Sequence, residues 1–253
     1  MQAALCCAVA IAAALPAIAR SDEPATIERI KPSIVAVGTF ERLRSPQFSF
    51  AGTGFAVANG SLIATNEHVL PTSLDGERHE TLAIAMRSGA GTVRIRPARK
   101  VASDSAHDLV LLEIDGPPLP ALRLGDSHGV REGERYLFTG FPIGGVLGLF
   151  PVTHRTMIAA VTPIVIPAAR ADKLDARSAR QLAVGAYPVF QLDGTAYPGN
   201  SGSPVYHPQT GEVIGIVNSV FVKGTKESAL AHPSGITYAI PAQKLKDLLD
   251  RAR

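Results

Sequence analysis

From Ser33 onward the chain is a succession of short apolar runs, each stopped by Gly, Pro, Asn or Asp. Runs of this kind are strands bounded by turns, and no helical pattern alternates with them, which argues against a parallel α/β sheet. The first set comprises Ile34–Phe40, Gly54–Val57, Ser61–Ala64, Leu82–Met86, Thr92–Ile95 and Leu109–Ile114. Gly116-Pro-Pro-Leu-Pro120 then interrupts the pattern with prolines that a sheet interior does not accept. A second set follows, with Glu134–Thr139, Met157–Val161, Pro188–Gln191, Ser203–Tyr206, Val213–Asn218 and Ile236–Ile240. Two such sets predict an all-β fold of two six-stranded antiparallel barrels.

The predicted boundaries are a leader at 1–19, an N-terminal segment at 20–32, a first barrel at 33–115, a linker at 116–120, a second barrel at 121–240 and a C-terminal helix at 241–253. A short helix is also expected over Glu23–Lys31, with Ile27 and Ile30 on one face. In the C-terminal helix Pro241 suits the first turn, and Leu245, Leu248 and Leu249 form the apolar stripe. Residues Ala168–Ala183 are polar and alanine-rich, with Ala171, Leu174 and Leu182 on one helical face, and read as an insertion in the second barrel.

A chain of 253 residues buries a full core without covalent staples. Its two cysteines, Cys6 and Cys7, both lie in the leader, so an exported form has neither disulfides nor thiolate metal ligands. The histidines show no metal-ligand spacing, and no metal or cofactor is expected. A net charge of +3 with few aromatics gives no nucleic-acid footprint. Arg94 and Arg96 alternate with Val93 and Ile95, as on the wet face of a strand.

Residues Ala3–Ala19 are apolar, too short for a comfortable membrane span, and close on Ala17-Ile-Ala19. That is the small-x-small pattern of a secretory signal cleaved after Ala19, although no Lys or Arg precedes the apolar run. Export to the periplasm or beyond the cell is expected, without stable membrane insertion after cleavage. An uncleaved anchor is the alternative.

The chemistry centres on Gly194-Thr-Ala-Tyr-Pro-Gly-Asn-Ser-Gly-Ser-Pro-Val205, which sets Ser201 on a turn of Gly and Pro. Such a turn can aim backbone N–H groups at an oxyanion, although Gly-Asn-Ser-Gly also describes ordinary surface turns. A nucleophilic serine needs a base, and the base needs an orienter. His68, in Ala64-Thr-Asn-Glu-His-Val-Leu70, follows one predicted strand, and Asp108 directly precedes another. The order His, Asp, Ser differs from that of subtilisins and α/β-hydrolases, and Gly199-Asn-Ser-Gly-Ser203 lacks the final glycine of the hydrolase elbow.

At these residues the sequence resembles the chymotrypsin-like serine proteases, and most closely the protease domain of the HtrA/Deg family. The resemblance rests on Gly52-Thr-Gly-Phe55, Thr65-Asn-Glu-His-Val69, Asp108-Leu-Val-Leu-Leu112, Asp193–Gly202 and Gly235-Ile-Thr-Tyr-Ala-Ile-Pro241, in that order. It implies a chymotrypsin-type double barrel with His68 as general base, Asp108 as its orienter and Ser201 as nucleophile. It also implies an oxyanion hole at the N–H groups of Gly199 and Ser201. Thr195 is implied at the floor of the primary specificity pocket, and Asn218, Ser219 and Val220 as one wall that pairs with an extended substrate.

No carboxylate falls at the floor position, so small or medium aliphatic side chains are expected there rather than Lys or Arg. The partners implied are protein or peptide substrates, with a homo-oligomer such as a trimer left open. Departures from the family pattern are Ser203 in place of a usual glycine, His154-Arg155 after Thr153, and an end at Arg253 without PDZ domains. The insertion at 168–183 could be a flap over the oxyanion turn or a passive surface segment. A non-catalytic peptide-binding or chaperone-like protein on the same fold is the alternative to an exported endopeptidase.

Overall fold

The computed structural model describes residues 22–88, 92–144, 148–163, 187–218 and 236–252. Six antiparallel strands close a first barrel: β1 (Ile34–Phe40), β2 (Phe48–Val57), β3 (Leu62–Asn66), β4 (Thr81–Ser88), β5 (Thr92–Asp104) and β6 (Leu109–Ile114). A second closed barrel contains β7 (Arg135–Gly140), β8 (Val152–Pro163), β9 (Pro188–Asp193), β10 (Pro204–Tyr206), β11 (Val213–Asn218) and β12 (Ile236–Pro241). The neighbour order is β1-β2-β3-β6-β5-β4 in the first and β7-β8-β9-β12-β11-β10 in the second, so the two barrels have the same topology. Helices α1 (Glu23–Ile30) and α2 (Ala242–Arg251) flank them. The leader and the 168–183 insertion lie outside the described residues.

Alternation along the strands explains why several are apolar on both faces. In β1, Val35 and Val37 point into the first barrel, where they meet Ala56, Ile63, Ile84, Val110 and Leu112. The intervening Ile34 and Ala36 point the other way, as do Phe55, Leu109 and Leu111. They join Leu137, Tyr206, Ile216, Ile240, Leu245 and Leu248 in a layer between the barrels and beneath α2. Phe138, Ile158, Leu192, Val205 and Val217 fill the second barrel. Each large aliphatic or aromatic side chain in these layers contributes about 1.5–3 kcal/mol by leaving water.

β2 begins at Phe48, ahead of its predicted start at Gly54, because it pairs along the whole of β1, and two further strands are also longer than their apolar runs suggest. β5 continues from Ile95 to Asp104 because it changes partner, pairing with β4 up to Pro97 and with β6 from Ala98. Pro97 therefore sits at the changeover, where the missing N–H is tolerated. β8 likewise runs from Val152, paired first with β7 and then with β9. Pro241 ends β12 and serves as the N-cap position of α2, rather than lying in the helix's first turn.

The helices tie the barrels together. In α1, Thr26 and Arg29 bond to the carbonyls of Gln209 and Thr210 in the second barrel, while Ile30 enters the inter-barrel layer. At the end of α2, Arg251 reaches back 2.6 Å to Asp104 in the first barrel. Asp104 also accepts from the His107 main chain and lies 3.0 Å from His107 Nδ1. Burial alone would raise its carboxyl, but the hydrogen bonds and charge of His107 and the Arg251 bond outweigh that and hold its pKa below the ordinary value.

Asp104→Asn should therefore lower stability at neutral pH by about 1–2 kcal/mol. Because the folded-state pKa is depressed, this contribution is complete above the unfolded Asp value and is lost as pH falls through the folded one. Urea titrations of both proteins at neutral and at acid pH should show the gap closing on acidification.

Candidate active site

Asp108 ends the turn between β5 and β6 in a left-handed conformation, φ 55°, which Asp tolerates better than most side chains. Its carbonyl accepts from the Glu67 N–H and from Asn66 Nδ2, both at 3.1 Å. These bonds fasten the 3₁₀ turn Glu67–Val69, which follows β3 and carries His68. The Asp108 carboxylate is 1 % exposed. Its Oδ1 accepts the His68 main-chain N–H at 2.9 Å, and its Oδ2 lies 2.6 Å from His68 Nδ1. A carboxylate only accepts, so Nδ1 carries the proton and the neutral ring leaves Nε2 as the basic nitrogen.

Asn218, at the end of β11, supplies another donor from the second barrel, with Nδ2 at 2.8 Å from Asp108 Oδ2. Its side chain is fully buried. The side chain thus serves Asp108. Ser219 and Val220 lie outside the described residues.

Ser201 sits on a turn held by its neighbours. Asn200 N–H bonds to the Tyr197 carbonyl and Ser203 N–H to the Asn200 carbonyl, each at 3.0 Å. Gly202 N–H bonds to Val217 O, and Val217 N–H returns to Ser203 O, each at 2.9 Å. Gly199 and Gly202 have φ of 101° and 87°, which only glycine adopts freely. A Cβ on Gly202 would stand 2.0 Å from the Thr53 carbonyl. At Gly52 it would stand 2.7 Å from Val69 Cγ2 and 3.1 Å from the Ser201 carbonyl. The His68 turn and the Ser201 turn therefore meet over a glycine in β2, and any side chain there would push them apart.

Gly199 is restrained from both sides. The Pro198 carbonyl accepts the Ile143 N–H at 2.8 Å, and in a trans peptide the Gly199 N–H points the opposite way. The Gly199 carbonyl accepts from Thr53 Oγ1 at 2.7 Å. Thr195 is half-buried, and the next residue donates its N–H to Thr237 Oγ1 at 2.9 Å. Thr237 in turn donates to the Gly194 carbonyl at 2.6 Å, which fixes that segment against β12.

The departures in the second barrel fit the space around them. Ser203 Oγ lies 1.9 Å from where a Cβ on Gly140 would stand, so the hydroxyl fills that volume. His154 stacks on Phe138 at 4.8 Å between ring centroids. Burial lowers its pKa, which favours the neutral ring.

The trypsin-like peptidase domain model matches residues 52–216, well over half of the chain, and the chain belongs to that family. Within it, the similarity runs to the HtrA and DegP proteases. A probable periplasmic serine endoprotease DegP-like of Pseudomonas savastanoi is 29% identical over 80% of this chain and 34% of its own length. The corresponding protein of Halomonas elongata is 29% identical over 80% of this chain and 35% of its own. The HtrA-type protease AlgW, solved with a tripeptide, superposes with a TM-score of 0.64 at 26% identity. That likeness covers 90% of this chain and 62% of the other. The chain thus spans about a third of the length of these curated relatives.

Of the residues singled out by sequence, His68 and Asp108 are in direct contact, and the Ser201 turn is brought against the His68 turn. Asn218 as a donor to Asp108 and Thr53 as a partner of the serine turn were not legible as such. Asn218→Ala should cost about 1–3 kcal/mol, because it withdraws a donor from a buried carboxylate. Chemical denaturation reads this directly, and an unchanged midpoint would mean that the Asn218–Asp108 bond carries no net stability.

Proposed function

We propose that the chain is an exported serine endopeptidase that hydrolyses peptide bonds of extracytoplasmic proteins, with unfolded chains as the substrate class of a quality-control protease. The observation that carries this reading is the 2.6 Å His68–Asp108 contact, set where the Ser201 turn meets the His68 turn over Gly52. Family membership and the HtrA-type relatives support the same reading.

In this mechanism Nε2 of His68 takes the Ser201 hydroxyl proton as Oγ attacks the substrate carbonyl. The N–H groups of Gly199 and Ser201 stabilise the tetrahedral oxyanion. Collapse expels the amine, which leaves with the proton from His68, and an acyl group remains on Ser201 Oγ. Water, deprotonated by the same nitrogen, then attacks the acyl carbonyl, and His68 returns that proton to Ser201 Oγ as the acid leaves. Asp108 holds the productive tautomer and stabilises the imidazolium.

By the family resemblance, Thr195 is assigned to the floor of the primary pocket and Asn218, Ser219 and Val220 to one wall. Without a carboxylate at the floor, the pocket takes small or medium aliphatic side chains. A peptide panel should show cleavage after such residues, and strong cleavage after Arg would refute that preference.

The leader at 1–19 directs export, in keeping with its apolar run and with the periplasmic designation of the relatives. No helix among the described residues is long and apolar enough to cross a membrane. N-terminal sequencing of the exported protein should begin at Arg20.

The test of the chemistry is labelling by a fluorophosphonate, which reacts with activated serines. The wild type should label, and Ser201→Ala and His68→Ala should not. A folded wild type that stays unlabelled would favour the peptide-binding alternative.

A further inference from the structure

We infer that the hydroxyl of Thr53, in the first barrel, is the positioning group that keeps the oxyanion turn of the second barrel in its working geometry. This inference rests on the peptidase reading above and assigns a role that lies outside the triad and the oxyanion donors.

Thr53 is fully buried in β2, and each of its polar groups has a partner from another segment. Its N–H donates to the Ser201 carbonyl at 2.9 Å. Its carbonyl accepts from Thr65 Oγ1 at 2.6 Å. Its hydroxyl makes two bonds of opposite sense, donating to the Gly199 carbonyl at 2.7 Å and accepting from the Phe141 N–H at 3.0 Å. Thr53 therefore grips the turn at two carbonyls, on either side of Asn200.

The second hydroxyl bond reaches the segment that fixes the other side of Gly199. Phe141 opens the stretch whose Ile143 N–H holds the Pro198 carbonyl. Ile143 itself has φ 49°, an unfavourable angle for a β-branched residue that needs external restraint. A Cβ on Gly199 would lie 2.4 Å from the Phe141 carbonyl, so the two segments are in close backbone contact. One hydroxyl thus links Gly199 to the segment that orients its N–H.

Glycine has the greatest backbone freedom of any residue, and the direction of the Gly199 N–H must come from its surroundings. Only a group that both donates and accepts can serve the Gly199 carbonyl and the Phe141 N–H together. A Ser or Thr hydroxyl does so, whereas a Val side chain of the same shape does neither.

The test compares Thr53→Val and Thr53→Ser with wild type and Ser201→Ala, using labelled casein and thermal melting. Loss of one oxyanion donor costs roughly a hundredfold to a thousandfold in kcat. Partial misalignment should cost less, so Thr53→Val is expected to lose about tenfold to a hundredfold in kcat with KM within about twofold. Thr53→Ser should stay within about threefold of wild type in both, by keeping the two hydroxyl bonds.

Should Thr53→Val fail to fold, Thr53→Ala takes its place beside Thr53→Ser, since both lack the methyl and only one keeps the hydroxyl. Equal activity of the hydroxyl-bearing and hydroxyl-free variants overturns the inference, as does a change confined to KM or to melting temperature. An active wild type alongside either result leaves the peptidase reading standing. A folded wild type without Ser201-dependent turnover removes that reading and this inference together.

Discussion

The site depends on how a buried carboxylate is satisfied. Asp108 is almost fully removed from water, and an unpaired charge there would cost several kcal/mol. Its oxygens instead meet the His68 main chain, the His68 ring and the Asn218 amide. Two of these donors come from the first barrel and one from the second. The carboxylate therefore sets the histidine tautomer and makes the two barrels interdependent at the same atom.

The inter-barrel layer places those donors. Because strands of both barrels alternate between a barrel interior and a shared apolar layer, the barrels have little freedom to slide without exposing Phe55, Leu111, Tyr206 or Ile216. Polar contacts cross at the edge of that layer, where Thr53 meets the serine turn and Asn218 meets Asp108. Apolar burial supplies the adhesion, and the buried hydrogen bonds supply the register. Glycine completes the approach at Gly202, where a side chain would collide with the opposing barrel, and at Gly52, where it would collide with Val69 of its own barrel and crowd the Ser201 carbonyl.

Much of this was legible in the sequence, for reasons specific to each segment. β1 and β11 match their apolar runs over the whole of Ile34–Phe40 and Val213–Asn218. β5 and β8 extend beyond theirs because pairing with two successive neighbours, rather than side-chain apolarity, sustains them. His68 and Asp108 stood out because each lies at a strand end within a recognisable motif, and the structure brings them into contact. The role of Asn218 was hidden because its partner is 110 residues away in sequence and no local pattern marks a donor to a distant carboxylate. Thr53 was hidden for the same reason, just ahead of the predicted strand Gly54–Val57 and within a stretch read only as a family motif.

The most direct test of this account is the protonation state of the His68 ring, measured by nitrogen-15 NMR of histidine-labelled protein at a pH where the ring is neutral. The account predicts a single tautomer with the proton on Nδ1 and a bare Nε2, lost when Asp108 is replaced by Ala. A wild-type ring protonated on Nε2, or averaged between the two tautomers, would contradict it, because His68 would then not be held by Asp108 as a base for Ser201.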